Sequence, residues 1–365
     1  MSASIPTPRV GVSDAALTRP DWGSQPARDA DAIWLDRNEN IDPALAQITQ
    51  RVLQGLDAQA LYTYPDLGDL YRKLAGVFGG QANQYVLAAG SDGAIRTVFE
   101  AYISPGDIVM HSHPTFAMYP VYSRMYAADA RPFSYDATDQ GPVLNVDKLI
   151  GDIKQVRPRL VCLPNPDSPT GTAVERAALK AIVDAAGDVG AVMLIDEAYY
   201  PFYPHTVADW VNDNPHLVVT RSFGKAWGLA GVRVGFAVAH PDMAVNLHKV
   251  RPMYEIGALS ASMLEAMLDH ADDVTQSVAR VLAGKAWFVA QMRDMGYQVL
   301  QTHGNFQHVA FGADEQAISN ALKDRVLYRR DFPNTALAGY SRFSVAPQSI
   351  LEPVVDLIRT AVPRK

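Results

Sequence analysis

Between residues 85 and 240 the chain repeats one texture, in which short, nearly continuous apolar runs are separated by helical patterns. The runs are "YVLAAG", "DIVMHS", "RLVCLPNP", "AVMLIDEAYY", "LVVTRSF" and "VRVGFAVA". Apolar runs bounded by turns are what strands covered on both faces look like, as in a parallel sheet wrapped by helices. The helix after the first run shows in Ile95, Val98, Phe99 and Tyr102, which share one face at i, i+3, i+4 and i+7. "GSDGA" is then a strand-to-helix turn, and the expected fold class is α/β.

A chain of 365 residues that is 48% hydrophobic exceeds the size at which single cores stop growing, about 250 to 300 residues, so two domains are expected. Residues 1–32, rich in Pro, Ser, Ala and Asp without a period, read as an arm or lead-in rather than a packed element. Residues 46–258 read as the large domain and 259–365 as a smaller α/β domain, with 33–45 a candidate to pack on the latter. In that C-terminal part a long helical stretch from Asp272 to Met295 leads into "YQVLQ" and "NFQHVAF". A helix near Glu315 to Asp324, then "VLYRR", "SRFSV" and a closing helix follow.

A net charge of −7 and the lack of a basic run give no electrostatic reason to bind nucleic acid or an anionic membrane, which leaves small molecules as the expected partners. A single cysteine, Cys162, inside the apolar run "LVCLP", suits a reducing compartment and a buried role. A cytoplasmic protein is expected, with no membrane-spanning segment.

"SFGKAWGLAGVRVGF" then raises a question, because it places Lys225 and Arg233 among four glycines at the end of an apolar strand. A phosphate-binding P-loop is excluded, since Val219 stands where its first glycine belongs and Ala226 where Ser or Thr belongs. The dinucleotide fingerprint is excluded by the spacing of Gly228, Gly231 and Gly235. A buried lysine loses its proton readily and is then a nucleophile toward an aldehyde, whereas Lys225 taken alone reads equally as a snorkelling strand-end cation. Asp196 ends another apolar strand, where ligands of α/β sheets gather, and can hold a proton on a pyridine nitrogen or simply cap a turn. Tyr199 can reach a phenolic oxygen. The turn "AAGSDGAIR" opens a helix whose free N–H groups favour a phosphate, with Arg233 and Ser222 at hand. His111 and His113 form an alternating pair without a third ligand nearby, and no metal site is expected.

Eight motifs stand in order along the chain: "LDRNEN", "YTYPD", "GSDGAI", "PTFAMY", "NPDSPTG", "DEAYYPF", "SFGKAWGLAGVRVGF" and "SRFSV". From about residue 33 to the C-terminus the sequence thereby resembles the fold-type I pyridoxal-phosphate aminotransferases, and among them the histidinol-phosphate aminotransferase group. That resemblance implies a large domain with a mainly parallel seven-stranded sheet, a smaller α/β domain, and a homodimer with shared active sites. It implies that Lys225 carries pyridoxal 5′-phosphate covalently, that Asp196 pairs with the ring nitrogen, that Tyr199 contacts the ring oxygen, and that Phe116 stacks on the ring. Ser91, Asp92, Gly93, Ser222 and Arg233 would hold the phosphate, joined by Tyr64 from the other subunit. Arg342 would grip the substrate α-carboxylate and Arg330 a distal anion, with Asn38 also on the substrate side.

Three positions depart from the family pattern. Ser168 replaces an asparagine that donates to the ring oxygen, Gly224 replaces a phosphate-binding serine, and Ile41-Asp42-Pro43 replaces Pro-Tyr. The reaction implied is amino transfer between an L-amino acid, glutamate by preference, and a 2-oxo acid or related carbonyl compound. A lyase, cyclase or decarboxylase using the same lysine is the alternative. A cofactor-sensing regulator would need a DNA-binding domain, for which residues 1–32 are too short and too acidic.

Overall fold

The computed structural model describes residues 5–21, 23–24, 27–330 and 332–362. Among the described residues twelve strands are numbered in chain order: β1 (Ile33–Trp34), β2 (Tyr85–Ala88), β3 (Ile108–His113), β4 (Asp129–Ser134), β5 (Leu160–Pro164), β6 (Val192–Asp196), β7 (Leu217–Ser222), β8 (Gly235–Ala239), β9 (Gln298–Val299), β10 (Phe306–Ala310), β11 (Val326–Leu327) and β12 (Ser341–Ser344). β2 to β8 form one seven-stranded sheet in the order β2-β8-β7-β6-β5-β3-β4. Only β8 runs antiparallel to its neighbours; the remaining pairs are parallel. The sheet is the α/β architecture read from the sequence.

Alternate residues of each strand feed two separate cores, as the pleat requires. Leu163, Met193, Ile195 and Val219 join a cluster on one face, and Cys162, Leu194, Val218 and Ala237 join one on the other. Both faces are dry, which is why these strands read as unbroken apolar runs. β4 lacks that signature because it is an edge strand: of its six residues only Phe133 is buried, and Pro132 sits where a central ladder would not tolerate it.

The smaller domain holds an antiparallel sheet of order β12-β10-β9 and a parallel pair of β1 with β11. Leu35, just past β1, bonds through its amide to the Leu327 carbonyl and through its carbonyl to the Ser344 amide, both at 2.7 Å. Its side chain lies in the third core with Phe288, Phe311 and Phe343. The segment after β1 is therefore stitched to the small domain on two sides.

The helix Ala271–Asp294 spans the junction. Val274, Val278 and Val281 pack in a core of the large sheet, while Phe288 and Met292 pack in the small-domain core. Packing thus changes over from one core to the other near Gly284. A Cβ at Gly284 would collide with the backbone carbonyl of Ala346, so the helix meets the β12 exit with no room for a side chain.

The N-terminal arm has no helix or strand among its described residues, yet it is held against the helix Met118–Met125. Gly11 is buried, and a Cβ there would collide with the carbonyls of Arg124 and Met125. Arg9 lies over the Tyr126 ring, and Arg124 donates to the Ala16 carbonyl at 2.9 Å. The sequence composition that suggested an unpacked lead-in misses these contacts because they are made by backbone and by arginines. Residues 1–4, 22, 25 and 26 of the arm lie outside the described residues.

Two glycines of helix interiors test the junction. Gly284→Ala is expected to lower the unfolding free energy by roughly 1–3 kcal/mol, as overpacking does. Gly76→Ala, where a Cβ meets nothing within 4 Å, is expected to raise it by roughly 0.5–1 kcal/mol. Paired urea melts distinguish them, and equal gains at both positions would contradict the close seam.

Candidate active site

The carboxyl ends of β2, β3, β5, β6 and β7 converge on one cavity of about 620 Å³, the expected location in an open α/β sheet. Register fixes which residues meet there. Pro164 lies beside Asp196 and Asp196 beside Thr220; Ser222 and Ala88 both lie beside Gly235. Residues scattered over some 150 positions are thereby lined up along one edge.

Asn38, Ser91, Asp92, Phe116 and Ser168 line the cavity, and so do Asp196, Tyr199, Ser222, Lys225, Arg233 and Arg342. Gly93 stands one step behind, in the first turn of the helix Gly90–Tyr102, where an added Cβ would lie 3.2 Å from Ala88 Cβ. Two further expected residues lie away from it. Tyr64 is exposed and stacks on Tyr254 with ring centroids 4.4 Å apart. Arg330 donates to the Ser319 hydroxyl and lies over the Tyr328 ring. Arg329 lines the cavity instead: it is bridged to Arg342 through the backbone, and consecutive residues of an extended segment face opposite sides.

Lys225 sits in the turn after β7, half-buried, with Nζ donating to the Arg37 carbonyl at 2.8 Å. Burial lowers its pKa to about 8, aided by the cations Arg342 and Arg233 and opposed by Glu39 and Asp196. Roughly a tenth of the amines are then neutral at pH 7, far more than for an exposed lysine.

Asp196 is buried and its pKa is raised to about 6 by burial, against hydrogen bonds that pull it down. Those bonds come from Thr220 Oγ1 at 2.9 Å and from the buried Tyr119 hydroxyl at 3.4 Å. A carboxylate held so dry gains most from a cationic N–H donor placed beside it. Tyr199 accepts from Asn38 Nδ2 at 2.8 Å and packs edge-on against Phe306. Asn38 adopts a left-handed backbone, φ 57°, and its amide donates to Ser344 Oγ at 2.8 Å.

Glycines shape the other end of the cavity. The helix Gly90–Tyr102 begins there, so its first free N–H groups face the site. A Cβ on Gly235 would strike the backbone of Gly90 and Ser91, and a Cβ on Gly90 would lie 2.7 Å from Arg233 Nη2. Arg233 itself takes a left-handed conformation, φ 57°, and donates to the Ala89 carbonyl at 3.3 Å. Ser222 Oγ accepts the Gly224 amide at 3.0 Å, which leaves its own hydrogen free to donate.

Below the cavity, several residues with no signature in the sequence support this set. Arg221 and Glu197 form a buried ion pair at 2.9 Å that anchors the loop after β6, with the Arg221 guanidinium over the Tyr200 ring. Asp167 is fully buried, accepts from Ser112 Oγ at 2.6 Å and from the Tyr135 hydroxyl, and is pushed up to about 7 by burial. Thr220 and Tyr119 could be found only by knowing the register and the packing of their elements.

Pyridoxal 5′-phosphate fits these residues. A dry carboxylate, an amine of lowered pKa and a glycine-cleared helix start beside an arginine match its ring nitrogen, aldehyde and phosphate. At the opposite wall Arg342 presents a guanidinium whose terminal N–H groups suit a carboxylate, and its buried Nε has no partner. Among the described residues no cluster of three or more His, Cys, Asp or Glu side chains could hold a metal ion, and no helix is long and apolar enough to cross a membrane.

The comparisons with known proteins agree with this geometry. A histidinol-phosphate aminotransferase of Geobacter sp. (strain M21) is 28% identical over 344 residues, covering 93% of this chain and 95% of that protein. One from Thermoanaerobacter sp. (strain X514) is 30% identical over 322 residues, covering 86% and 88%. The histidinol-phosphate aminotransferase of Sinorhizobium meliloti, solved in complex with pyridoxal-5′-phosphate, superimposes with a TM-score of 0.77 at 21% identity over 91% of this chain and 92% of its own. The model of the family "Aminotransferase class I and II" matches residues 30–357. The chain is a member of the aminotransferase class I and II family.

Proposed function

We propose that the protein is a pyridoxal-phosphate aminotransferase of the histidinol-phosphate aminotransferase kind, moving an amino group between an L-amino acid, glutamate by preference, and a 2-oxo acid or related carbonyl compound. The observation that carries this reading is the convergence of Lys225, Asp196, the Gly90 helix start with Arg233, and Arg342 on one cavity. The cofactor, when bound, supplies an aldehyde that takes up the amino group and a ring that spreads the charge left on the substrate α-carbon.

The chain's own residues do the rest. Lys225 would hold the cofactor through Nζ and, once the substrate amino group has displaced it, its neutral amine would carry a proton from the substrate α-carbon to the former aldehyde carbon, which its lowered pKa permits. Asp196 keeps a proton on the ring nitrogen, and Thr220 and Tyr119 keep Asp196 oriented. Tyr199, held by Asn38 and with Ser168 close to its hydroxyl, would donate to the ring oxygen. Gly90, Ser91, Asp92, Ser222 and Arg233 cradle the phosphate, without the hydroxyl that a serine at 224 would add. Arg342 would bind the α-carboxylate as a bidentate fork, and Arg329, which lines the cavity where Arg330 does not, would serve a second anionic group. Of the reactions one such lysine can serve, amino transfer is the one for which the family and the relatives reported above are named.

A homodimer completes the reading. Tyr64 and Tyr254 stack on the surface beside exposed Leu61, Tyr62 and Met253, an apolar patch of the kind a partner covers. In such a dimer Tyr64 would serve the other subunit's phosphate site. A cytoplasmic enzyme accords with its one buried cysteine, Cys162.

Three outcomes are expected. Lys225→Ala should lower kcat with L-glutamate and a 2-oxo acid by roughly 10³-fold, the worth of a positioned base and more, and remove the visible absorption of the loaded protein. Arg342→Leu should raise KM for the amino acid roughly 10- to 100-fold, the loss of charge-assisted hydrogen bonds, with cofactor still bound. The rate at which apoprotein takes up pyridoxal phosphate should rise with pH through an inflection near 8, the Lys225 value. An inflection near 10, that of an ordinary lysine, would contradict the assignment.

A further inference from the structure

His308 has no part in the mechanism above, yet it stands on the face of β10 that carries the site. Phe306 and His308 alternate on that side of the strand, opposite Ser344 and Arg342 of β12. Phe306 touches Tyr199, and Ser344 bonds Asn38. The His308 ring is fully buried.

Its hydrogen bonding is lopsided. Nε2 lies 2.7 Å from the Pro169 carbonyl oxygen, and a carbonyl only accepts, so Nε2 carries the hydrogen and Nδ1 is a bare acceptor. Nδ1 is buried without a donor, and the buried Nε of Arg342 is without an acceptor. His308 and Arg342 are register partners across the ladder, so their side chains leave the sheet as neighbours on one side. Both pack on the same two rings: His308 edge-on to Phe306 and Phe332 at 5.7 and 5.6 Å, and the Arg342 guanidinium over them at 5.5 and 5.7 Å. At rest Arg342 Nη2 donates to the Asp36 carbonyl at 3.0 Å.

We propose that His308 is a positioning residue that ties the carboxylate-binding arginine to the cofactor loop. Its Nε2–H fixes Pro169 and hence Ser168, while its Nδ1 accepts from Nε–H of Arg342 once a substrate carboxylate draws the guanidinium into the cavity. The two orphaned atoms are then the halves of one hydrogen bond that binding closes. Burial, and after it the cations Arg342 and Lys285, push the His308 pKa down to about 3 although the Pro169 bond pulls the other way, so the acceptor persists at neutral pH. The inference rests on Arg342 as the carboxylate grip.

The direct test is a ¹⁵N-histidine NMR spectrum of the cofactor-loaded protein, the His308 signals being those absent from His308→Gln. The expected spectrum has the proton on Nε2 and Nδ1 as a free acceptor. Saturating succinate, an unreactive dicarboxylate, should move Nδ1 toward hydrogen-bonded values in the native protein but not in Arg342→Leu. In kinetics with L-glutamate, His308→Leu should raise KM about tenfold with kcat changed less, and His308→Asn, which keeps a polar atom near the Nδ1 position, should recover most of it. A proton on Nδ1, an Nδ1 signal indifferent to bound succinate, or an unchanged KM in His308→Leu would overturn the proposal. Should His308→Leu fail to fold, the spectrum still decides. Should glutamate not be the donor, the succinate response separates that failure from failure of His308, and absence of succinate binding by calorimetry would count against Arg342 and so against the inference.

Discussion

Charge taken out of water governs this structure. Lys225 and Asp196 sit at the dry edge of the large sheet, and burial pushes each toward neutrality, the amine down to about 8 and the acid up to about 6. Neither group gains stability from its position in the bare protein. A buried amine and a buried acid are costly unless something pairs with them, and the two are poised for a ligand that offers an aldehyde to one and a cationic N–H to the other. The supporting bonds from Thr220, Tyr119, Asn38 and the Arg37 carbonyl hold direction as much as energy.

Parallel strands make such an edge possible. Their carboxyl ends deliver side chains to one line, and the register of β5, β6, β7 and β8 sets Pro164, Asp196, Thr220, Ser222 and Gly235 within that line. Gly235 and Gly90 then let a helix start and an arginine approach more closely than any side chain would permit. The small domain closes the other wall with β10 and β12, and the segment after β1 crosses between them, so that Asn38 bonds Tyr199 of the large domain and Ser344 of the small one. The two walls of the cavity are thus mechanically linked through a few buried polar contacts.

Much of this was legible in the sequence, for physical reasons. Central strands buried on both faces write themselves as apolar runs, and Lys225 and Asp196 stand out because charge at the end of such runs is expensive, whereas Arg342 is reached only through the resemblance of its motif. The edge strand β4 left no run, since one face and one ladder side are open to water. The resemblance points to Arg330, and it is the backbone bridge of Arg329 to Arg342 that turns Arg329 toward the cavity and its neighbour away. Thr220, Asp167 and His308 were invisible because their partners lie 24, 55 and 139 residues away. The change of core within the helix Ala271–Asp294 is invisible for a related reason, as one unbroken helical pattern serves both.

A second lysine makes the central assignment testable against a real rival. Lys285 is also displaced, to about 7 by burial alone, while its amine is occupied by the carbonyls of Thr302 and Gly304 at 2.7 and 2.8 Å and lies outside the cavity. The most direct measurement is to load the protein with pyridoxal phosphate, fix the cofactor by borohydride reduction, digest with trypsin and locate it by mass spectrometry. The expected result is one modified peptide from Ser222 to Arg233, left uncleaved at Lys225. Modification at Lys285, or spread over surface lysines with Lys225 bare, would contradict the account.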